Sequence, residues 1–565
     1  MKKVLLQIFV FFAVGLVLFF VVSALEEKSE PEISEGIEVP FEETPSFSSE
    51  PDYANFTNIV FDNSSVSVTG TGVMVTGTAV TIAFPGTYRL SGVSDNASVT
   101  INCEYDGNVF LWLDGLSLTC ETGPAIYVND AVETTIILQD ATENYLADAE
   151  YSLTDDDASK CAAAVFSHDD LNFTGAGTLT IAGFNKNGLQ CNDSLCLTAV
   201  NIIITAINDA VNVNDAVYVT ESSIQLLSSG DGIQCDDGDI VIAGSSIIIA
   251  TEEDGVSAEG NVSLTDTYLS VGTRGGSAHY SDIEALGCGA KGLKGENISI
   301  CNCQLDFDCA DDALHAMDTC VLSQGNYVLR SGNNAIYAGT SICVEDVSLD
   351  IPDSYDGIQA SQITLQSGEF SIVADDDALQ ATMGDLLSGV SAVNCFIEIM
   401  DGKLSLTSAC GMTSDGDILL LGGDVYIQTY TIEEAAFQWG NSLVLDDCCI
   451  FGTGLFSESD PAEENLSQCV LNWTFAENKP ETTVVAITDV SGNILYSATP
   501  EQTYSMFFYS APNLETEGVY TISAGEEICN IQLGGLFTTG SNVPVETAQT
   551  SSSTSKKDGG MPGMR

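Results

Sequence analysis

Residues 231–258 read DGIQCDDGDIVIAGSSIIIATEEDGVSA, and the phrase that opens the stretch, DGIQC at 231, returns as DGVSA at 254. Between the two, DIVIAGSSIIIAT alternates apolar and polar residues between Gly and Asp turns, the period of half-buried strands and not of a helix. Upstream the phrase recurs as NGLQC at 187 and DAVNV at 209. Downstream it recurs as KGLKG at 291, DALHA at 312, NAIYA at 334, DGIQA at 356 and DALQA at 377, with weaker copies AAVFS at 163, CGMTS at 410 and AAFQW at 435. Its Gly/Ala position falls at 164, 188, 210, 232, 255, 292, 313, 335, 357, 378, 411 and 436. The steps are 24, 22, 22, 23, 37, 21, 22, 22, 21, 33 and 25, so the two long ones mark insertions near Gly272–Gly287 and Thr382–Val393.

Three short strands in about 22 residues make one coil of a right-handed parallel β-helix. A leucine-rich horseshoe has a similar period, but its LxxLxL signature is missing. Two inward columns agree with a coil. One is aliphatic (Val165, Leu189, Val211, Ile233, Val256, Leu293, Leu314, Ile336, Ile358, Leu379); the next is small (Cys191, Cys235, Ala258, Ala316, Ala338, Ala360, Ala381). Cys191 and Cys235 therefore read as small core residues. They sit two coils apart, ~10 Å, too far to bridge. The chain has 18 cysteines with no CxxC pair; Cys301, Cys303 and Cys309 could bind zinc, and the competing reading is buried or paired thiols.

The 565 residues carry 15 Lys+Arg against 81 Asp+Glu, a formal charge of −66, which excludes nucleic acid and anionic membranes as direct partners. Hydrophobic residues at 44% exclude disorder through the body. Two carboxylates ~5 Å apart repel by roughly 3 kcal/mol at an effective dielectric near 20, so the fold should recruit cations, calcium first. A salt-rich habitat is the competing explanation of the acidity.

The chain divides into five stretches. Residues 1–25 read as a signal peptide or signal anchor, with Lys2 and Lys3 before an apolar run and Val22-Ser23-Ala24 as a small-residue cleavage site. Residues 26–56 read as an acidic disordered linker, 57–458 as the β-helix, 459–539 as a small antiparallel β-domain capping its open end, and 540–565 as a disordered Ser/Thr/Gly tail. The body is therefore expected outside the cytoplasm, secreted or cell-surface anchored. Its only membrane contact would be an uncleaved N-terminal anchor.

Two acidic columns flank the short strand of each coil. The first holds Asp209, Asp231, Asp254, Asp312, Asp356 and Asp377; the second holds Asp169, Asp193, Asp215 and Asp237. Coils stack ~4.8 Å apart, and a calcium ion with oxygens at ~2.4 Å fits between neighbours. Each Asp could equally cap its turn by accepting backbone hydrogen bonds. Between the columns runs an outward row that includes Gln190, Gln234, Tyr337, Gln359 and Gln380, together with Lys294 and His315. Amides and aromatic rings in a long flat ladder suit the hydroxyls and faces of a linear polysaccharide. The alternative is a solvated face whose amide ladder stabilises the stack. A lyase needs a cationic base, and Lys291 and Lys294 beside an insertion are the candidates for one; paired aspartates of a glycoside hydrolase, such as Asp311-Asp312 or Asp375-Asp376-Asp377, are a further alternative.

The runs FPGTYRLSG, FLWLDGLSLTCETGPAIYVNDA, DATENYLAD and FSHDDLNFTGAGTLTI, the DGIQ phrases, ITDVSGNILYSATP and the GGMPGM tail resemble the clostridial-type carbohydrate-binding parallel β-helix domain family. That resemblance implies a fold like pectate lyases, bound calcium (Ca2+), and non-catalytic binding of acidic plant polysaccharide such as polygalacturonate, with cellulose as a further ligand. The expected protein is a monomeric, exported, calcium-binding carbohydrate-binding module, not an enzyme. A calcium-dependent polysaccharide lyase and a structural surface protein or adhesin are the alternatives.

Overall fold

The computed structural model describes residues 56–103, 105, 107–149, 163–279, 289–383, 395–431 and 434–543. The stretch read as a signal peptide or anchor, nearly all of the stretch read as an acidic linker and the residues from 544 onward lie outside the described residues, as do residues 280–288 and 384–394 of the two insertions. The described chain is all β: a solenoid of about 15 turns at ~23 residues per turn, followed by a small antiparallel sheet.

Each coil contributes to three parallel sheets. In one coil these are the strands Ile233–Cys235, Ile240–Ala243 and Ser246–Thr251; each pairs in parallel with the equivalent strand of the next coil, at Val256–Ala258, Val262–Thr265 and Tyr268–Thr273. The aliphatic column is in register coil after coil from Leu189 through Val211, Ile233, Val256, Leu293, Leu314, Ile336 and Ile358 to Leu379. All of these side chains are buried in one continuous core. Truncating one of them, Ile233→Ala for example, should cost about 2–5 kcal/mol, because its neighbours are held by the stack and close a cavity poorly.

The Gly/Ala position has a steric cause. A Cβ at Gly232 would stand 2.4 Å from the carbonyl oxygen of Gly255 and 2.5 Å from Ile249, which packs across the narrow interior from the third sheet. The corner between the second and third sheets is a single residue per coil in the left-handed region, at Ala199, Glu221, Gly244, Asp266, Asn302, Gln324 and Asp346 with φ between 49° and 58°. One residue with φ > 0 turns the chain through the corner without breaking the ladder on either side. Sequence reading did not find this column, because glycine occupies it in few coils.

The cysteines follow the core reading. Cys191 and Cys235 are wholly buried, and all 16 described cysteines are free thiols. Cys303 and Cys309 belong to the core, and Cys301, Cys303 and Cys309 do not converge on a metal-sized site.

The last coil strand, Cys449–Thr453, pairs antiparallel with Tyr504–Ser510, which also pairs antiparallel with Val470–Lys479. Phe508 closes the end of the solenoid core, and Gly452 makes room for it: a Cβ there would meet the Phe508 ring at 2.1 Å. Beyond lies a four-stranded antiparallel sheet of Ile494–Ala498, Val485–Thr488, Val519–Ala524 and Glu527–Gln532. The free edge of the coil stack is thereby paired instead of left open.

Candidate functional site

The outward row lies on the short-strand sheet between the two acidic columns. Its register is continuous: Phe166, Gln190, Asn212, Gln234, Ser257, Lys294, His315, Tyr337, Gln359, Gln380, Thr413 and Gln438 pair in order, each with its neighbour in the next coil. Parallel strands ~4.8 Å apart therefore present one side chain per coil along a straight line. Most of the row is half-buried; Phe166 and Ser257 are buried and Gln438 is exposed. Where two amides are adjacent, Gln359 Nε2 donates to Gln380 Oε1, and Gln380 Nε2 donates to Asp377 Oδ2 at 2.5 Å. Gln234 Nε2 reaches Asp236 Oδ1 at 3.0 Å. These bonds hold the amides of Gln234, Gln359 and Gln380 in fixed orientations; Gln190 only accepts a long 3.5 Å bond from Asn187.

The first acidic column is a capping ladder. Asp209 Oδ1 accepts from the Asp231 backbone N–H at 3.0 Å, Asp231 Oδ1 from Asp254 at 2.8 Å, and Asp254 Oδ1 from Lys291 at 2.8 Å. Asp312 Oδ1 accepts from Asn334 at 2.9 Å, and Asp356 Oδ1 from Asp377 at 3.0 Å. The capping function is thus present, and it occupies one oxygen of each carboxylate. In Asp377 both oxygens are hydrogen-bonded, to Thr413 and Gln380. Burial, with Asp254 and Asp209 on either side, pushes the Asp231 carboxyl up to about 8. Burial likewise raises Asp209, Asp356 (to about 6) and Asp377.

The second column behaves differently along its length. Asp169 and Asp193 are half-buried and their carboxyls are raised, by burial first and then by neighbouring aspartates; Asp215 and Asp237 are exposed at the turn. Asp169 Oδ2 accepts from the Ala131 backbone N–H at 2.8 Å.

Lys291 stands in the first column between Asp254 and Asp312, at the turn whose sequence, KGLKG, departs from the repeat. Its ammonium pairs with Asp311 Oδ2 and lies 3.4 Å from Asp312 Oδ2, with the Lys291 side chain 16% exposed and that of Asp312 3%. Burial alone would lower Lys291; Asp312 and Asp311 outweigh it and carry the ammonium above its ordinary range. A lysine held charged in this way is a poor proton acceptor, which removes Lys291 as a lyase base. Burial alone would raise Asp312; the His315 hydrogen bond and the Lys291 charge hold it below the usual carboxylate range.

Asp312 also orients the row. Its Oδ2 lies 2.6 Å from His315 Nδ1, and the imidazole stacks on Tyr337 with ring centroids 4.7 Å apart and planes 17° from parallel. Lys294 precedes His315 in the row. The result is a short cationic and aromatic segment, Lys294–His315–Tyr337, set in an otherwise amide ladder. Sequence reading placed all three residues in the row but missed the Asp312–His315 contact, although the DALH spacing (i, i+3 across a strand start) carries it.

For a cation, the tightest carboxylate group among the described residues is Asp356, Asp376 and Asp377, whose ligand oxygens lie within 4.8 Å of one another. That span is what a calcium ion with bonds of ~2.4 Å bridges, and all-oxygen donors suit a hard cation. Asp376, outside the predicted columns, joins this group because it sits in the turn immediately before Asp377.

Residues 76–335 match the family model of carbohydrate-binding domain-containing proteins. A carbohydrate-binding domain-containing protein of Acetivibrio thermocellus is 33% identical over 150 residues, 26% of this chain and 52% of that protein, so the chain spans about half the length of the curated relative it matches. The solved polysaccharide lyase-like protein from C. thermocellum, in its gadolinium derivative, is 28% identical and covers 43% of this chain and 96% of its own, at a TM-score of 0.39. Over residues 76–335, therefore, this chain is similar to the carbohydrate-binding domain-containing proteins, the family to which its sequence motifs pointed.

Proposed function

We propose that this chain is an exported, non-catalytic, calcium-binding module that holds an extended acidic polysaccharide of the plant cell wall, such as polygalacturonate, along the outward row. The observation that carries the reading is the unbroken register of that row, a straight line of mostly polar side chains, three of its amides held in place, with Lys294, His315 and Tyr337 at its middle. A linear polymer lying along the row meets one side chain per coil, so weak hydrogen bonds add along its length. Lys294 gives a uronate carboxylate a cation on this face, next to His315 in the row. Calcium at Asp356, Asp376 and Asp377, or along Asp209, Asp231 and Asp254, supplies positive charge that offsets repulsion between two polyanions.

Affinity electrophoresis through gels containing polygalacturonate, cellulose or xylan, with and without chelator, tests this directly. Retardation by polygalacturonate that weakens on chelation is expected. Unchanged mobility in all three gels would leave the protein an adhesin or a structural repeat.

A second reading has one specific observation behind it. A buried carboxylate orienting an imidazole beside a lysine is also how a base and a charge neutraliser are arranged for proton abstraction next to a uronate carboxylate. Growth of unsaturated-product absorbance from polygalacturonate, abolished by His315→Ala, would make the protein a lyase.

A further inference from the structure

A cavity lies on a different sheet from the outward row, on the third sheet where the solenoid meets the C-terminal sheet. It has a volume of about 680 Å³, within the range of sites that hold small ligands. Every residue lining it lies past residue 335, outside the span that matches the carbohydrate-binding family.

Its shape follows from one column of the third sheet, in which Asp350, Ser371, Ser405, Tyr426 and Phe451 are successive neighbours. Phe451 covers one face of Tyr426, with centroids 5.8 Å apart and planes 19° from parallel. On the other side the column drops to two exposed serines, and both Ser405 and Tyr426 line the cavity. The uncovered face of the tyrosine is therefore a wall at the end of a trough about 14 Å long, three coil spacings from Asp350 to Tyr426. Tyr496, from the C-terminal sheet, stacks on Phe451 at 5.0 Å and closes the same end.

The wall is pre-set. The Tyr426 hydroxyl donates to Gln428 Oε1 at 3.1 Å, and the Glu501 backbone N–H donates to the same oxygen at 3.0 Å, with Gln428 buried. One amide thus locks the ring and ties the C-terminal segment to the coil, so binding would not have to order the aromatic surface.

The charges decide the ligand class. The trough carries Asp350, Glu369 and Asp424 against a single cation, Lys403, which already pairs with Glu369 at 3.1 Å. A uronate would meet two uncompensated carboxylates. A neutral sugar meets an aromatic face for its C–H side and carboxylates and serines for its hydroxyls, and hydrogen bonds to ionised acceptors are the stronger kind. We propose that this trough is a second glycan site, taking one or two units of a neutral polysaccharide chain against Tyr426, independently of calcium and of the outward row.

Titration calorimetry of the whole protein with cellohexaose and xylohexaose in chelator tests it. Ser405→Trp fills the trough from an exposed position without touching the core, and Tyr426→Ala removes the wall. Saturable binding of a hexaose that falls roughly 10-fold or more in both variants, with polygalacturonate retardation kept, is the expected result. Failure of the wild-type protein to bind either hexaose, or binding that Ser405→Trp leaves intact, overturns the proposal. Loss of hexaose binding on Gln234→Ala or Gln359→Ala instead would assign the neutral sugar to the outward row.

Discussion

Two stretches of the same column, Asp209–Asp231–Asp254 and Lys291–Asp312–Asn334, solve one electrostatic problem in opposite ways. Both use a side-chain oxygen to cap the next coil's backbone N–H. In the first stretch three carboxylates stack with no basic residue of the column among them, and Asp231 in the middle is pushed up to about 8. In the second, Lys291 enters the column itself, Asn334 dilutes the charge, and Asp312 stays ionised beneath His315. The comparison teaches that a repeat can keep its capping geometry while moving the counter-charge from solution into the protein. A turn that looks decayed in sequence, KGLKG, is the place where the cation was built in.

The largest test breaks the built-in pair. Lys291→Met leaves Asp311 and Asp312 buried without their cation and should cost about 3–5 kcal/mol, read as a lower denaturant midpoint; adding Asp312→Asn should recover much of it. An equal loss in the double variant would mean that lysine packing, not charge, holds the turn.

Next comes the external cation. If calcium serves the first stretch, saturating it at about 100 times its dissociation constant adds about 2.7 kcal/mol. Chelation should then speed hydrogen exchange in Ile233–Cys235 and Val256–Ala258 more than in Asn334–Ala338. Equal effects on both stretches, following ionic strength alone, would reduce the acidity to general solvation.

A smaller effect is expected from pH. The Asp231 carboxyl is raised in the folded protein above its unfolded value of about 3.9, so its contribution is complete below that value and is lost as pH rises through about 8. In chelator the melting temperature should fall between pH 6 and pH 9. Asp231→Asn keeps the cap, should flatten that fall, and should raise stability at the alkaline end by about 1–2 kcal/mol. An unchanged slope would show that Asp231 titrates at its ordinary value.

The smallest differences are in binding. Gln234→Ala and His315→Ala each remove one rung of the outward row and should each weaken polygalacturonate retardation by about 5-fold, near 1 kcal/mol. Unchanged retardation in either variant would take that residue out of the binding row.

The period, the inward columns, the outward row and the burial of Cys191 and Cys235 were all legible in the chain, because a coil imposes the same steric demand every turn and any column can be read by stepping through it. The site was legible only as a row of residue types. The DALH spacing left the Asp312–His315 contact open to reading, but nothing in that row shows that Asp376 swings beside Asp356 and Asp377, since that depends on where a turn directs its side chain. The corner column from Ala199 to Asp346 was hidden for a related reason: left-handed backbone was met there mostly by residues other than glycine.

By itself, then, the sequence determined a parallel β-helix, its register and a polar ladder along one face, through a repeat whose spacing leaves a single stacking solution. Only the tertiary structure decided which carboxylates lie among buried partners, and so which are charged. It alone brought Tyr426 and Tyr496 onto Phe451 at the mouth of a cavity. Tyr426 and Phe451 are one coil step apart, but Tyr496 comes from the C-terminal sheet and obeys no period, and contact between non-repeating parts of a chain is set by how the pieces dock, not by the step from one coil to the next.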